Sequence, residues 1–153
     1  MFDGRWNNSV GYRKPVTGWV RNYVGEYLCF SGSYTGMICN LYVNDDDYET
    51  TLEGGCCRLH NLIKVDNRVN GGALSGGGDS GGPALGHADP GTYDQILARG
   101  IITGGTDGTE IECPGGGSRV CYEEMFYMPI GVARNIFDAE VELCTQTYCV
   151  VRP

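Results

Sequence analysis

Gly76-Gly77-Gly78-Asp79-Ser80-Gly81-Gly82-Pro83 is the stretch that decides how this chain is read. A serine acts as a nucleophile when its hydroxyl is presented on a tight turn and backbone N–H groups face the oxygen of the attacked carbonyl. Glycines on both sides of Ser80 permit positive φ and close approach of a substrate, so the N–H groups of Gly78 and Ser80 can form an oxyanion hole. The ordered string Gly-Asp-Ser-Gly-Gly-Pro is far more specific than a glycine loop that happens to contain a serine.

The same string satisfies Gly-x-Ser-x-Gly, the nucleophile elbow of a parallel α/β sheet. That arrangement requires an acid and then a histidine well downstream. Here the last histidine is His87, seven residues after Ser80, and no alternating β-α pattern follows it. The surroundings favour an all-β chain instead. Glycine contributes 25 of 153 residues, about twice its average share, and charged residues only 20%. β-type runs recur between Gly, Asn and Asp clusters at Glu26–Phe30, Met37–Val43, Leu59–Val65, Gly82–Leu85, Ile96–Thr103 and Glu124–Met128. Six such strands predict one small antiparallel barrel. Asn44-Asp45-Asp46-Asp47 reads as a solvated turn, since a calcium loop would need a distal Glu that is not in place. Pro129 is placed to start a short C-terminal helix whose Ile130, Val132, Ala133, Ile136 and Phe137 form a partial apolar face for packing on the barrel.

The length suits one domain with its own core. The reading divides it into a leading arm or connector (1–23), the barrel with the nucleophile loop (24–137) and a tail (138–153). With 11 basic against 19 acidic residues, the net charge of −8 excludes a chain whose main task is to hold nucleic acid or anionic lipid. No uninterrupted apolar run exceeds four residues, so no helical membrane span is expected, and Met1-Phe2-Asp3-Gly4-Arg5 lacks the apolar core of a secretory signal. Eight cysteines nevertheless suggest disulfides and an oxidising, extracellular setting. Three local pairs stand out: Cys29 with Cys39, Cys113 with Cys121 across Pro114–Gly117, and Cys144 with Cys149. Closing each short loop contributes about 2–3 kcal/mol. The vicinal Cys56 and Cys57 have no evident partner, and the scattered His60 and His87 complete no metal-ligand spacing, so neither metal nor cofactor is expected. Asn7-Asn8-Ser9 matches a glycosylation sequon.

Three ordered segments resemble the chymotrypsin-like serine proteases, and most closely their bacterial streptogrisin-type branch: Val24–Cys39, with its Cys-to-Cys spacing of ten; Gly78–Pro83; and Ala98–Gly105 followed by Tyr127–Arg134. They span Val24 to Arg134, and the first two are the specific ones. The resemblance implies the second, Greek-key barrel of that fold, with Ser80 as nucleophile and Gly78 and Ser80 N–H as oxyanion hole. It further implies that Asp79 supports the loop and that Thr103, Gly104 and Gly105 pair with substrate backbone as an added strand, their glycines keeping the pocket mouth clear. The pocket floor falls near Leu74 and Ser75. Neither is a carboxylate, which disfavours a preference for Arg or Lys and suits an apolar or small side chain.

The departures are equally informative. In such proteases His and Asp precede Ser on a first barrel, yet only 79 residues precede Ser80, and none matches the Ala-x-His-Cys segment. His60 reads as a structural strand residue and His87 as part of the loop after the nucleophile strand. Gly76 stands where many relatives carry a bracing cysteine. The expectation is therefore the C-terminal half of a secreted serine endopeptidase acting on peptide or protein substrates, with the catalytic His and Asp on an N-terminal barrel ahead of Met1. By itself the chain is expected to be nearly inactive. The competing readings are an inactive pseudo-protease or peptide-binding barrel, and a purely structural disulfide-held domain.

Overall fold

A computed structural model describes residues 14–52, 55, 57–89, 92–113, 118–144 and 149–151. The elements are β1 (Val16–Trp19), β2 (Tyr27–Gly32), β3 (Gly36–Thr51), β4 (Arg58–Asp66), β5 (Ser75–Gly76), β6 (Pro83–Asp89), β7 (Thr92–Gly105), β8 (Glu110–Glu112), β9 (Val120–Tyr122), β10 (Glu124–Pro129), α1 (Ile130–Phe137), β11 (Glu142–Cys144) and β12 (Cys149–Val151). The six strands expected from sequence lie within β2, β3, β4, β6, β7 and β10. Their antiparallel pairings run β2 to β3, β4, β10, β7 and β6, and β6 pairs with β2 again, so the hydrogen-bonded strands form a closed circuit. β2, β3 and β4 follow one another and β6 returns beside β2, which is Greek-key connectivity. β1 lies parallel to β7, and β5, β9 and β8 make a separate three-stranded sheet.

Inward residues of these strands form one apolar core: Phe30, Leu41, Ile63, Val65, Leu74, Met125 and Tyr127 are all fully buried. Phe30 meets Tyr127 edge to face at 5.7 Å, a favoured aromatic geometry. The Tyr127 hydroxyl is buried but satisfied, donating to Asn22 Oδ1 at 2.8 Å. Burial pushes its phenol far above the ordinary tyrosine range.

Two expectations require correction. Asn44–Asp47 is not a turn; it lies within β3, whose register with β4 shifts repeatedly between Val43 and Thr50. The strand accepts these polar residues because their side chains find partners at its surface. Asn44 Nδ2 donates to Asp66 at 2.9 Å, Asp46 Oδ2 accepts the Val24 N–H at 3.3 Å and Asp45 Oδ1 the Asp47 N–H at 3.0 Å. Asn40 and Asn61, at φ 63° and 57°, hold left-handed positions in β3 and β4 that asparagine tolerates. The helix starts after Pro129 as expected, but Ile136 and Phe137 do not pack on the barrel: they are 61% and 65% exposed, and Ala133 is the buried residue of α1. With eight residues, α1 ends before its last turn can reach the core, at Asp138 in a left-handed cap.

Cys29–Cys39 and Cys113–Cys121 are disulfides, as their spacing predicted. Cys144 and Cys149 face each other across the β11–β12 pair, a backbone register only; their side chains, Cys56, the sequon and the Pro114–Gly117 turn lie outside the described residues. Cys57 is free and exposed. Alkylation of the native protein followed by peptide mapping is therefore expected to label Cys57 at once and Cys29, Cys39, Cys113 and Cys121 only after reduction; prompt labelling of any of the four would contradict the bond to which it belongs.

Asp66, at the end of β4, receives Arg68 Nε at 2.8 Å, Arg68 Nη2 at 2.5 Å and Asn44 Nδ2 at 2.9 Å. The Arg68 hydrogen bond, opposed by burial, holds its carboxyl below the usual range. A depressed folded-state pKa contributes stability that is present above the unfolded value, about 3.9, and is lost as pH falls through the folded one. The stability gap between parent and Asp66→Asn, measured by urea unfolding, is expected to be widest near neutrality and to close in strong acid.

Candidate active site

Ser80 sits at the tip of the loop between β5 and β6 and is exposed. Below it, Asp79 is only 1% exposed. Its Oδ1 accepts the N–H of Tyr34 at 2.7 Å and of Thr35 at 3.1 Å; its Oδ2 accepts the Thr35 hydroxyl at 2.9 Å and the Gly76 N–H at 2.9 Å. A buried carboxylate is tolerable only when bonded in this way. Three of these four donors come from the β2–β3 turn, Ser33–Thr35, and that turn also sends the Ser33 hydroxyl to the Gly78 carbonyl at 2.5 Å. Gly32 makes the approach possible: a Cβ there would lie 2.2 Å from Asp79 Oδ1.

The loop's own N–H groups divide into two sets. Gly77 donates to Val120, Asp79 to Gly76, Gly81 to Ile102 and Gly82 to Asp79. The N–H groups of Gly78 and Ser80 have no partner among the described residues. Gly78 has φ 111° and Gly81 φ 88°, which the expected positive-φ turn requires.

β7 brings Thr103 to the same place: Ser80 Oγ donates to the Thr103 carbonyl at 3.4 Å, while Thr103 Oγ1 donates to the Ile101 carbonyl and accepts the Met128 N–H, each at 3.1 Å. Gly104 and Gly105 pair with Phe126 and Met125 of β10. On the opposite side, the β6 pairing ends at Ile101, and among the described residues no strand continues along Thr103–Gly105. The absence of side chains at Gly104 and Gly105 has a packing reason that the sequence did not show. Added Cβ atoms would fall 2.9 Å from the Phe126 ring and 2.1 Å from the Tyr122 ring. Leu74 is fully buried in the barrel core and Ser75 is 4% exposed, paired with Tyr122.

Gly76, the residue at which the sequence departs from the resemblance by lacking a cysteine, is braced from the other side. It pairs with Cys121, and a Cβ at Gly76 would lie 2.8 Å from Cys121 Sγ and 3.4 Å from Cys113 Sγ, so the Cys113–Cys121 disulfide packs directly on its backbone. Arg119 joins this wall. Its Nη1 donates to the Gly77 carbonyl at 3.1 Å and its guanidinium lies 4.2 Å from the Tyr34 ring centre. Neither Arg119 nor the Asp79-binding turn stood out in sequence, because both act across long separations without a local motif.

The two histidines are elsewhere. His60, on β4, is exposed and contacts Glu49 at 2.8 Å; this bond, with that of Arg58, lowers the Glu49 pKa. His87 is on β6, opposite Ile96. The hydrogen bond of Ser80 Oγ goes to Thr103 and to neither histidine. Asp66, Asn67, Arg68, Gly71, Gly72, Glu123 and Glu124 line a cleft of about 370 Å³ that shares no residue with this loop.

The closed strand circuit with a glycine-framed serine on the β5–β6 loop defines a chymotrypsin-like β-barrel. Comparison with solved structures agrees. A glutamic-acid-specific serine protease, described as using a histidine triad in substrate binding, matches with a TM-score of 0.58 and 20% identity over 85% of this chain and 55% of that one. Nocardiopsis protease (NAPase) matches with a TM-score of 0.57 and 23% identity over 97% of this chain and 59% of that one. At these identities the likeness is one of fold, and the chain spans a little over half the length of each. Sequence comparison gives no match to a protein family or to a curated protein.

Replacing Asp79 with Asn removes a charge bonded by three N–H groups and a hydroxyl. Asp79→Asn is expected to cost about 2–3 kcal/mol in urea unfolding and to speed amide exchange at Tyr34, Thr35 and Gly76. Unchanged exchange at those three amides would show that the loop does not depend on Asp79.

Proposed function

We propose that this chain is the C-terminal half of a secreted serine endopeptidase in which Ser80 forms the acyl-enzyme. The observation that carries the reading is the pair of N–H groups, Gly78 and Ser80, that have no partner among the described residues, in a loop whose other amides are all engaged around an exposed serine hydroxyl. Such donors stabilise the oxyanion that develops on the attacked carbonyl. The edge at Thr103–Gly105, open among the described residues, supports binding of substrate as an added strand beside Ser80, and the absence of a carboxylate at Leu74 and Ser75 supports a preference for an apolar or small side chain.

A serine hydroxyl is a weak nucleophile unless a base takes its proton. Neither histidine of this chain contacts Ser80, so the base and its orienting Asp come from a preceding barrel, and this chain alone hydrolyses little. The span of just over half of the two solved proteases supports that division, with 24–137 as the barrel, 1–23 as the connector to its partner and 138–153 as the tail. The exposed Tyr23, Val24 and Tyr27 are apolar surface available to such a partner. Two disulfides support an oxidising, extracellular setting.

Hydrolysis of a protein substrate is expected to be near background for this chain and measurable for the form extended by the preceding barrel. In the extended form, Ser80→Ala is expected to lower kcat/KM at least about 10⁴-fold with an unchanged circular dichroism spectrum. Activity surviving in that variant would remove Ser80 as the nucleophile. Binding of peptides without hydrolysis in the extended form would favour the pseudo-protease reading.

A further inference from the structure

Charge is balanced at most of the described arginines. Arg58 pairs with Glu49 and Arg68 with Asp66, each at 2.5 Å, Arg99 pairs with Glu26 at 3.8 Å and Arg134 with Glu140. Arg21 donates to the Asp46 carbonyl. Arg119 forms no ion pair among the described residues, although the chain has 19 acidic residues against 11 basic. Its two contacts are the Gly77 carbonyl and the face of Tyr34, and both belong to the wall around Ser80. A Cβ built on Gly78 would lie 3.0 Å from Arg119 Nη1, so the guanidinium flanks the residue whose N–H is open beside Ser80.

These contacts fix the group and, among the described residues, leave its remaining donors unpaired. One N–H is used by Gly77 and one face is covered by Tyr34, while the side chain remains exposed with its other donors available. A planar, permanently charged fork held in place is suited to a carboxylate, which it can bind through two parallel hydrogen bonds. We propose that Arg119 is a specificity-determining residue that selects peptides carrying an acidic side chain close to the carbonyl presented to Ser80. This inference rests on the preceding reading of Ser80 and of the Thr103–Gly105 edge. A purely structural pin between Gly77 and Tyr34 would hold the loop equally well for any peptide, so the distinguishing readout is discrimination by charge.

The test titrates the 153-residue chain with short blocked peptides that differ only in one central residue, Glu, Gln or Lys, followed by NMR shift changes at Gly77, Gly78 and Tyr34. At low ionic strength the Glu peptide is expected to bind about three- to five-fold more tightly than the Gln peptide, with the Lys peptide weakest, and the difference is expected to shrink as salt is added. Arg119→Lys, which keeps the charge but loses the fork and the Tyr34 stacking, is expected to weaken the preference and Arg119→Gln to abolish it, with urea unfolding confirming that both variants fold. Equal binding of the Glu and Gln peptides, a preference that survives Arg119→Gln, or no binding of any peptide overturns the proposal. The ranking requires no hydrolysis, so its failure is separable from failure of Ser80 as nucleophile, which is read from activity in the extended enzyme.

Discussion

The Asp79 carboxylate is the constraint around which the site is organised. Removing a charge from water costs several kcal/mol unless hydrogen bonds replace its hydration. Here that requirement is met by Tyr34, Thr35 and Gly76, which belong to two loops remote in sequence. The consequence is mechanical. Once Asp79 is buried facing the β2–β3 turn, Ser80, the next residue, is directed outward to solvent, and the Gly78 carbonyl is taken by Ser33. Gly32 has no side chain because Asp79 occupies the space one would need.

The barrel supplies the remainder by bringing strands distant in sequence to this loop. Gly81 and Gly82 dock on Ile102, which sets Thr103 beside Ser80, and among the described residues no strand pairs with that edge of β7 past this point. On the other flank, the Cys113–Cys121 disulfide packs on Gly76 and Arg119 covers Gly77 and Gly78. Three supports of different chemistry thus hold one short loop: a buried charge, a strand pairing and a covalent bridge. Preorganised donors of this kind act without reorganising during reaction, which is what an oxyanion site demands. Among the described residues the Ser80 hydroxyl bonds the Thr103 carbonyl and neither histidine.

Much of this was legible in the sequence, for identifiable reasons. The six barrel strands were found because β-branched and aromatic runs alternate with turn residues, and the Ser80 loop stood out because its residue order is rare. Strand lengths were underestimated where polar residues continue a strand at the surface. Asn44–Asp47 has the composition of a turn, yet it pairs with β4 and its side chains meet partners in Val24 and Asp66. The apolar periodicity of the helix was real, yet periodicity does not say whether a surface is in reach, and Ile136 and Phe137 stay exposed. Gly104 and Gly105 were read for the substrate when the rings of Phe126 and Tyr122 also exclude a side chain there. Arg119 was invisible because its lack of an ion pair among the described residues shows only once the other described arginines have been placed.

The central claim, that this barrel carries a nucleophile whose base resides on a preceding barrel, is tested most directly by reading the coding strand upstream of Met1 in the same frame. The account predicts an open frame that encodes a second barrel bearing a histidine and, about midway, an aspartate, behind a secretory signal. An in-frame stop codon immediately upstream would contradict it, leaving Ser80 with no base and the chain as a binding barrel.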